Sequence, residues 1–126
     1  MIRTNLPKNN DKYKWTNHSK DKMIYYRISE SLVKRIVRFP KRKEVGIAPG
    51  TVAVMQSAGN NKNKQEIWVM YQLRRQKVSE LRPRNFIRAS EEKITIISTW
   101  RYPGTSPIGN KIPIPDEILQ ELENVI

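Results

Sequence analysis

Residues Lys93 to Gly104, KITIISTWRYPG, constrain this chain more than any other stretch. Ile94, Ile96 and Ile97 carry the apolar, β-branched character of an inner strand. Pro103 and Gly104 stop it. At its end, Trp100, Arg101 and Tyr102 set a cation between two aromatics. That trio suits a site for an anionic or nucleobase-bearing ligand, and it equally suits a plain strand cap.

The segments before this strand supply its partners. Thr16 or Asn17 can cap a first helix over His18–Arg27. His18, Lys22 and Tyr25 or Tyr26 recur at helical spacing and can share a face. Ser29 can cap a second helix, Glu30–Phe39, in which Leu32, Val33, Ile36 and Val37 form one apolar stripe. Pro40 ends it. Strands are predicted over Arg42–Val45, Thr51–Gln56, Glu66–Leu73 and Lys93–Trp100, the middle two as an antiparallel hairpin. The Gly- and Asn-rich loop Ser57–Lys64 joins them, and the charged excursion Arg74–Glu92 precedes the last strand. Pro115 opens a tail helix with Asp116 and Glu117 on its positive end and Ile118, Leu119, Leu122 and Val125 or Ile126 on its apolar face.

This order predicts an α+β fold: two N-terminal helices packed on a three- to four-stranded antiparallel sheet, with a C-terminal helix. Residues 1–14 read as a basic disordered arm, 15–104 as a single α+β domain, and 105–126 as a proline-rich segment with an acidic tail helix.

Composition narrows the function classes. A chain of 126 residues fits one domain and can bury a core unaided. It has no cysteine, which removes disulfide and thiolate chemistry and suits a reducing cytoplasm. The opening residues MIRTNLPKNNDKYK hold no apolar region of a secretory leader, and no stretch approaches a membrane span. A cytoplasmic protein without membrane contact is expected.

The net charge is +12 and unevenly spread. Residues 1–42 hold 12 Lys/Arg against 3 Asp/Glu, and residues 43–126 hold 12 against 9. From Pro113 onward there are four acids and no base. A basic body favours a polyanionic partner, most commonly nucleic acid, although charge also serves solubility. Binding of that kind falls with salt, by about 0.9 log units per contacted phosphate on duplex DNA.

His18 is the sole histidine, the side chain best suited to proton transfer near neutral pH. A lone histidine on an amphipathic helix more often serves structure. Arg38 with Lys41, Arg42 and Lys43 places cations where the second helix meets the sheet. They suit a phosphate clamp as well as a solvated charge run. Arg101 can contact phosphate while Trp100 or Tyr102 stacks a base, or it can pair with an acid such as Glu66 or Glu44 over a packed Trp100. No nucleotide-binding or metal-ligand motif is present, so no cofactor and no metal are expected.

The segments WTNHSKDKM, Ile28-Ser29 followed by LVKRIV, Pro40, and IISTWR resemble a family of small bacterial proteins related to BrnT toxins. More distantly they resemble RelE/ParE-type toxins. The similarity covers Trp15–Gly104 and implies the barnase–EndoU–colicin–RelE-like nuclease fold. It points to His18, the basic residues after Pro40, and Ser98 with Arg101. The long excursion over Arg74–Glu92 and the acidic tail depart from that pattern.

The leading expectation is an RNA-directed protein of this fold, in its sharpest form a metal-independent ribonuclease. His18, Arg42 and Arg101 would be catalytic. Lys22, Arg38, Lys41, Lys43, Trp100 and Tyr102 would bind nucleic acid. The alternatives are a non-catalytic nucleic-acid-binding protein and a protein-interaction module. An antitoxin-like protein partner is a further expectation, and charge alone suggests that the acidic tail can cover the basic face.

Overall fold

The computed structural model describes residues 6–75, 92–109 and 111–123. Its elements run β1 (Tyr13–Trp15), α1 (Asn17–Tyr26), α2 (Glu30–Arg38), β2 (Arg42–Val45), β3 (Thr51–Gly59), β4 (Lys64–Arg75), β5 (Glu92–Pro103) and α3 (Asp116–Glu123). The strands form one sheet in the order β1-β5-β4-β3-β2. The fold is α+β, with helices at both ends of the chain and a sheet that is antiparallel except for β1.

Both early helices start where side-chain oxygens replace missing backbone partners. Thr16 Oγ1 accepts from Ser19 N at 3.0 Å, and Ser29 Oγ accepts from Leu32 N at 3.2 Å. Helix α1 ends on Arg27, whose φ of 55° is left-handed. Ile28 N then bonds Met23 O at 2.9 Å and Arg27 N bonds Ile24 O at 3.2 Å, the paired closure of a Schellman motif. Ile28 is buried directly after the turn and pins the corner between the helices.

Among the described residues the sheet has five strands rather than three or four. The added strand, β1, lies where the sequence predicts the end of a disordered arm. Tyr13 and Trp15 face inward and Lys14 outward, and Tyr13 to Trp15 pair in parallel with Ile94 to Ile96. Strand β5 also runs further than expected. Trp100, Arg101 and Tyr102 lie within the ladder, opposite Trp68, Ile67 and Glu66, so the trio is divided between the two faces. The loop between β3 and β4 tightens to residues 60–63. There Asn60 Oδ1 accepts from Lys62 N and Asn63 N, while Gly59 at φ 83° lies where a Cβ would strike the Asn63 carbonyl. Residues 76–91 of the charged excursion lie outside the described residues.

One irregularity sets the two faces. Met70 pairs with Ser98 but Tyr71 pairs with Ile96, leaving Ile97 as an extra residue, a β-bulge. Before it, Ile94 and Ile96 face α1 and α2. After it the parity flips, and Ser98, Trp100 and Tyr102 face the other way. Ile97, expected in the core with its two neighbours, is instead partly buried beside the second cluster.

Two apolar clusters follow. The first joins β1, α1 and α2 to the sheet through Trp15, Met23, Val33, Ile36, Val69 and Ile96. The second lies on the opposite face, where Ile118 and Leu122 of α3 cover Met55, Trp68, Met70 and Trp100. Each fully buried aliphatic side chain contributes about 1.5–3 kcal/mol. With only eight residues, α3 is too short to hold its shape alone, so helix formation and docking are coupled. Among the described residues, no helix is long and apolar enough to cross a membrane.

Candidate nucleic-acid interface and a histidine cluster

Helix α1 runs along the edge of β5 beyond the point where β1 ends. Thr16 Oγ1 lies 3.1 Å from Ile96 O and 3.0 Å from Ile97 O, which sets the helix against the bulge. Two residues later His18 Nε2 meets Ser98 Oγ at 2.9 Å. On its other side, His18 Nδ1 lies 2.8 Å from Glu121 Oε2 of α3, and Lys22 Nζ lies 3.0 Å from Glu121 Oε1. Past the bulge Ser98 turns toward the face that α3 covers, and His18 stands between it and Glu121.

A carboxylate only accepts, so the neighbours assign the proton of a neutral ring to Nδ1. Nε2 then accepts from the Ser98 hydroxyl. Burial lowers the His18 pKa below the usual histidine value; Glu121 opposes this and Lys22 adds to it. The hydrogen bond from Lys22 lowers the Glu121 pKa in turn.

Serine, histidine and carboxylate in series match the connectivity of a nucleophilic triad. The setting does not suit that chemistry. Ser98 is 0% exposed, and it lies on the sheet face that α3 covers. Uncovering the hydroxyl from that face would remove the helix that supplies Glu121. The chain of bonds ties three elements together rather than presenting a nucleophile.

The three residues expected to share a catalytic site do not meet. Arg101 lies on the α1–α2 face, and all three of its side-chain nitrogens make hydrogen bonds there. Its Nε donates to Tyr26 O at 2.7 Å, one terminal amine to Arg27 O at 3.1 Å, and the other to Gln65 Oε1 at 3.4 Å. It braces helix carbonyls that lack intrahelical partners and pairs with neither Glu66 nor Glu44. Arg42 stands on β2, separated from β5 by β4 and β3, about 14 Å across the sheet. It donates to Ser106 Oγ at 2.8 Å and Pro107 O at 3.2 Å, lies 5.3 Å over the Trp68 ring, and has Nε 3.4 Å from Glu44.

Trp100 is 0% exposed and stacks on Trp68 with centroids 6.1 Å apart. It is therefore packed core in this state, not an open platform for a base. Tyr102 is partly buried against the same cluster. Lys22 is held by Glu121 and lies over the Tyr25 ring at 5.5 Å.

The remaining cations gather at the turn from α2 into β2. Between Arg27 and Gln65 there are nine Lys/Arg and two Asp/Glu. Both acids are already engaged: Glu30 pairs with Lys34 at 3.1 Å and Glu44 with Arg42 at 3.4 Å. Among the described residues, no acid pairs with Arg35, Arg38, Lys41 or Lys43, and all four are exposed. Phe39 stands among them with 71% of its surface exposed. Gln56 Nε2 holds the Phe39 carbonyl at 2.7 Å and Lys41 Nζ bonds Ser57 Oγ at 2.9 Å, so the turn is fixed to β3. An exposed aromatic on an anchored basic turn can stack a base while its neighbours meet phosphates.

Sequence reasoning placed Phe39 inside the second helix and did not offer it as a candidate for stacking. The signal was present in RFPKRK, where Pro40 forces the helix to end before its last apolar residue. It also left Glu66 unassigned between two roles. Glu66 is 2% exposed, and its Oε1 accepts from Trp68 Nε1 at 3.1 Å and from Ser106 Oγ. Among the described residues, no three His, Asp or Glu side chains are grouped to hold a metal ion. No protein-family model, curated protein or solved structure matches the chain.

Proposed function

We propose that this chain is a nucleic-acid-binding protein, RNA-directed, that binds through the basic turn Arg35–Lys43 rather than by closing a cleavage site. The observation that carries this reading is the exposed Phe39 among four cations that pair with no acid among the described residues. Single-stranded RNA suits the turn: unstacked bases can lie on a ring, and a flexible backbone can bring phosphates to Arg38, Lys41 and Lys43. The resemblance to toxin-type nucleases favours RNA over DNA. Cleavage by His18, Arg42 and Arg101 at one phosphate loses its support, because these side chains serve three separate contacts.

The test is equilibrium binding of a single-stranded oligoribonucleotide over a series of salt concentrations. Binding that weakens steeply with salt, and weakens further in Phe39→Ala and Lys41→Glu, supports the proposal. Salt-independent binding, or none at low salt, overturns it and moves the turn toward an acidic protein partner. RNA fragments appearing in EDTA and lost in His18→Ala would return the ribonuclease reading.

A further inference from the structure

We propose that α3 is a displaceable cover, and that the sheet face beneath it is a second site for single-stranded RNA. This rests on the RNA-directed reading above. Helix α3 lays Ile118 and Leu122 over Trp68 and Trp100 and sets the Glu121 carboxylate between His18 Nδ1 and Lys22 Nζ. Apolar groups on rings, and an anion on the Lys22 ammonium and the His18 Nδ1–H, are the pairings a nucleotide presents, base on aromatic and phosphate on cation and N–H donor. The acidic helix imitates that ligand from within the chain.

Three features make the cover removable. The cluster on the α1–α2 face contains no residue of α3, so β1, α1, α2 and the sheet keep a core when α3 lifts. The contacts that hold α3 are made by side chains, Ile118 and Leu122 on the rings and Glu121 on His18 and Lys22. The segment leading to it is clamped at a different place, where Ser106 bonds Glu66 and Arg42. That clamp serves as the hinge and Glu121 as the latch, 47% exposed at its side chain and open to competing anions.

The aromatic pair also reports the event. Trp68 and Trp100 lose their cover when α3 lifts, whereas Trp15 lies in the other cluster and stays shielded. Wild type, Glu121→Gln and Ile118→Ala would be compared by acrylamide quenching of tryptophan fluorescence and by binding of a single-stranded oligouridylate at low salt. Both variants should quench more and bind RNA at least about threefold more tightly, because a larger share of the chains is open. Phe39→Ala added to Glu121→Gln should leave that gain in place, since the two sites are separate.

Unchanged quenching and affinity in both variants overturn the cover. More quenching without tighter RNA binding overturns the second site. If wild type binds RNA through Phe39 while neither variant gains, only this inference fails. If no form binds RNA, the RNA-directed reading fails and takes this one with it.

Discussion

Arg101 Nε donates to the Tyr26 carbonyl oxygen at 2.7 Å, tying the last turn of α1 to a strand 75 residues further along the chain. That contact makes Arg101 a residue of the fold. Arg101→Ala should lower stability by about 1–3 kcal/mol, the usual cost of losing charge-assisted hydrogen bonds. The urea midpoint should fall with the slope unchanged. RNA affinity should stay at the wild-type value where both proteins are folded. Lost binding without lost stability would return Arg101 to the RNA surface.

The basic turn should separate charge from stacking. Lys41→Ala and Lys43→Ala should each flatten the dependence of log affinity on log salt by about 0.7 for a single strand. Phe39→Ala should weaken binding by about 1–3 kcal/mol and leave that slope unchanged, because stacking releases no counterions. A change of slope in Phe39→Ala would show that the ring is not acting as a platform.

Ser98 should be chemically silent. A fluorophosphonate probe, which marks activated serines, should leave the protein unlabelled, and His18→Ala should look the same. Ser98→Ala should still cost about 1–3 kcal/mol, because buried His18 Nε2 loses its donor. Labelling of Ser98 that vanishes in His18→Ala would establish a nucleophile in place of a structural tie.

The histidine cluster should make stability depend on pH with a definite sign. The folded His18 pKa lies below the usual histidine value, so on acidification the unfolded chain takes the proton first. The contribution is complete above about pH 6.5 and is lost as pH falls through the lowered folded value. Glu121 adds in the same direction further down, below the ordinary carboxylate range. Thermal melts should therefore fall from pH 7 toward pH 5, and His18→Gln should flatten that fall. A midpoint that rises on acidification in this window would contradict the burial of His18.

Much of the architecture was legible because local chemistry agreed with the final packing. The caps Thr16 and Ser29, the stripe through Val33 and Ile36, Pro40, and Pro115 before Asp116 each act within a few residues. Strand β2 matched for the same reason. Strand β1 was not legible. Three alternating residues in a basic polar stretch carry no strand signal until Ile94–Ile96 is beside them. The candidate site failed on a similar point. A doublet such as Ile96-Ile97 reads as more core, yet one of its residues is a bulge that exchanges the faces. Ser98 and Arg101, three residues apart and both beyond the bulge, lie on opposite faces by plain alternation, and the partners of His18 came from elements that spacing cannot relate.

Strand β1 has a consequence for how the molecule is made. Thr16, which fixes the junction of β1 and α1, bonds to Ile96, 80 residues later in the chain. At about 5–20 residues per second, a ribosome needs about 4–16 s to supply that partner. Through that interval Tyr13 and Trp15 are made but have no strand to join, and the last turn of α1 lacks its Arg101 brace. Strand β1 is therefore made about 80 residues before it can be secured, and a nascent chain cut before Ile94 should leave both aromatics exposed to whatever binds apolar peptide.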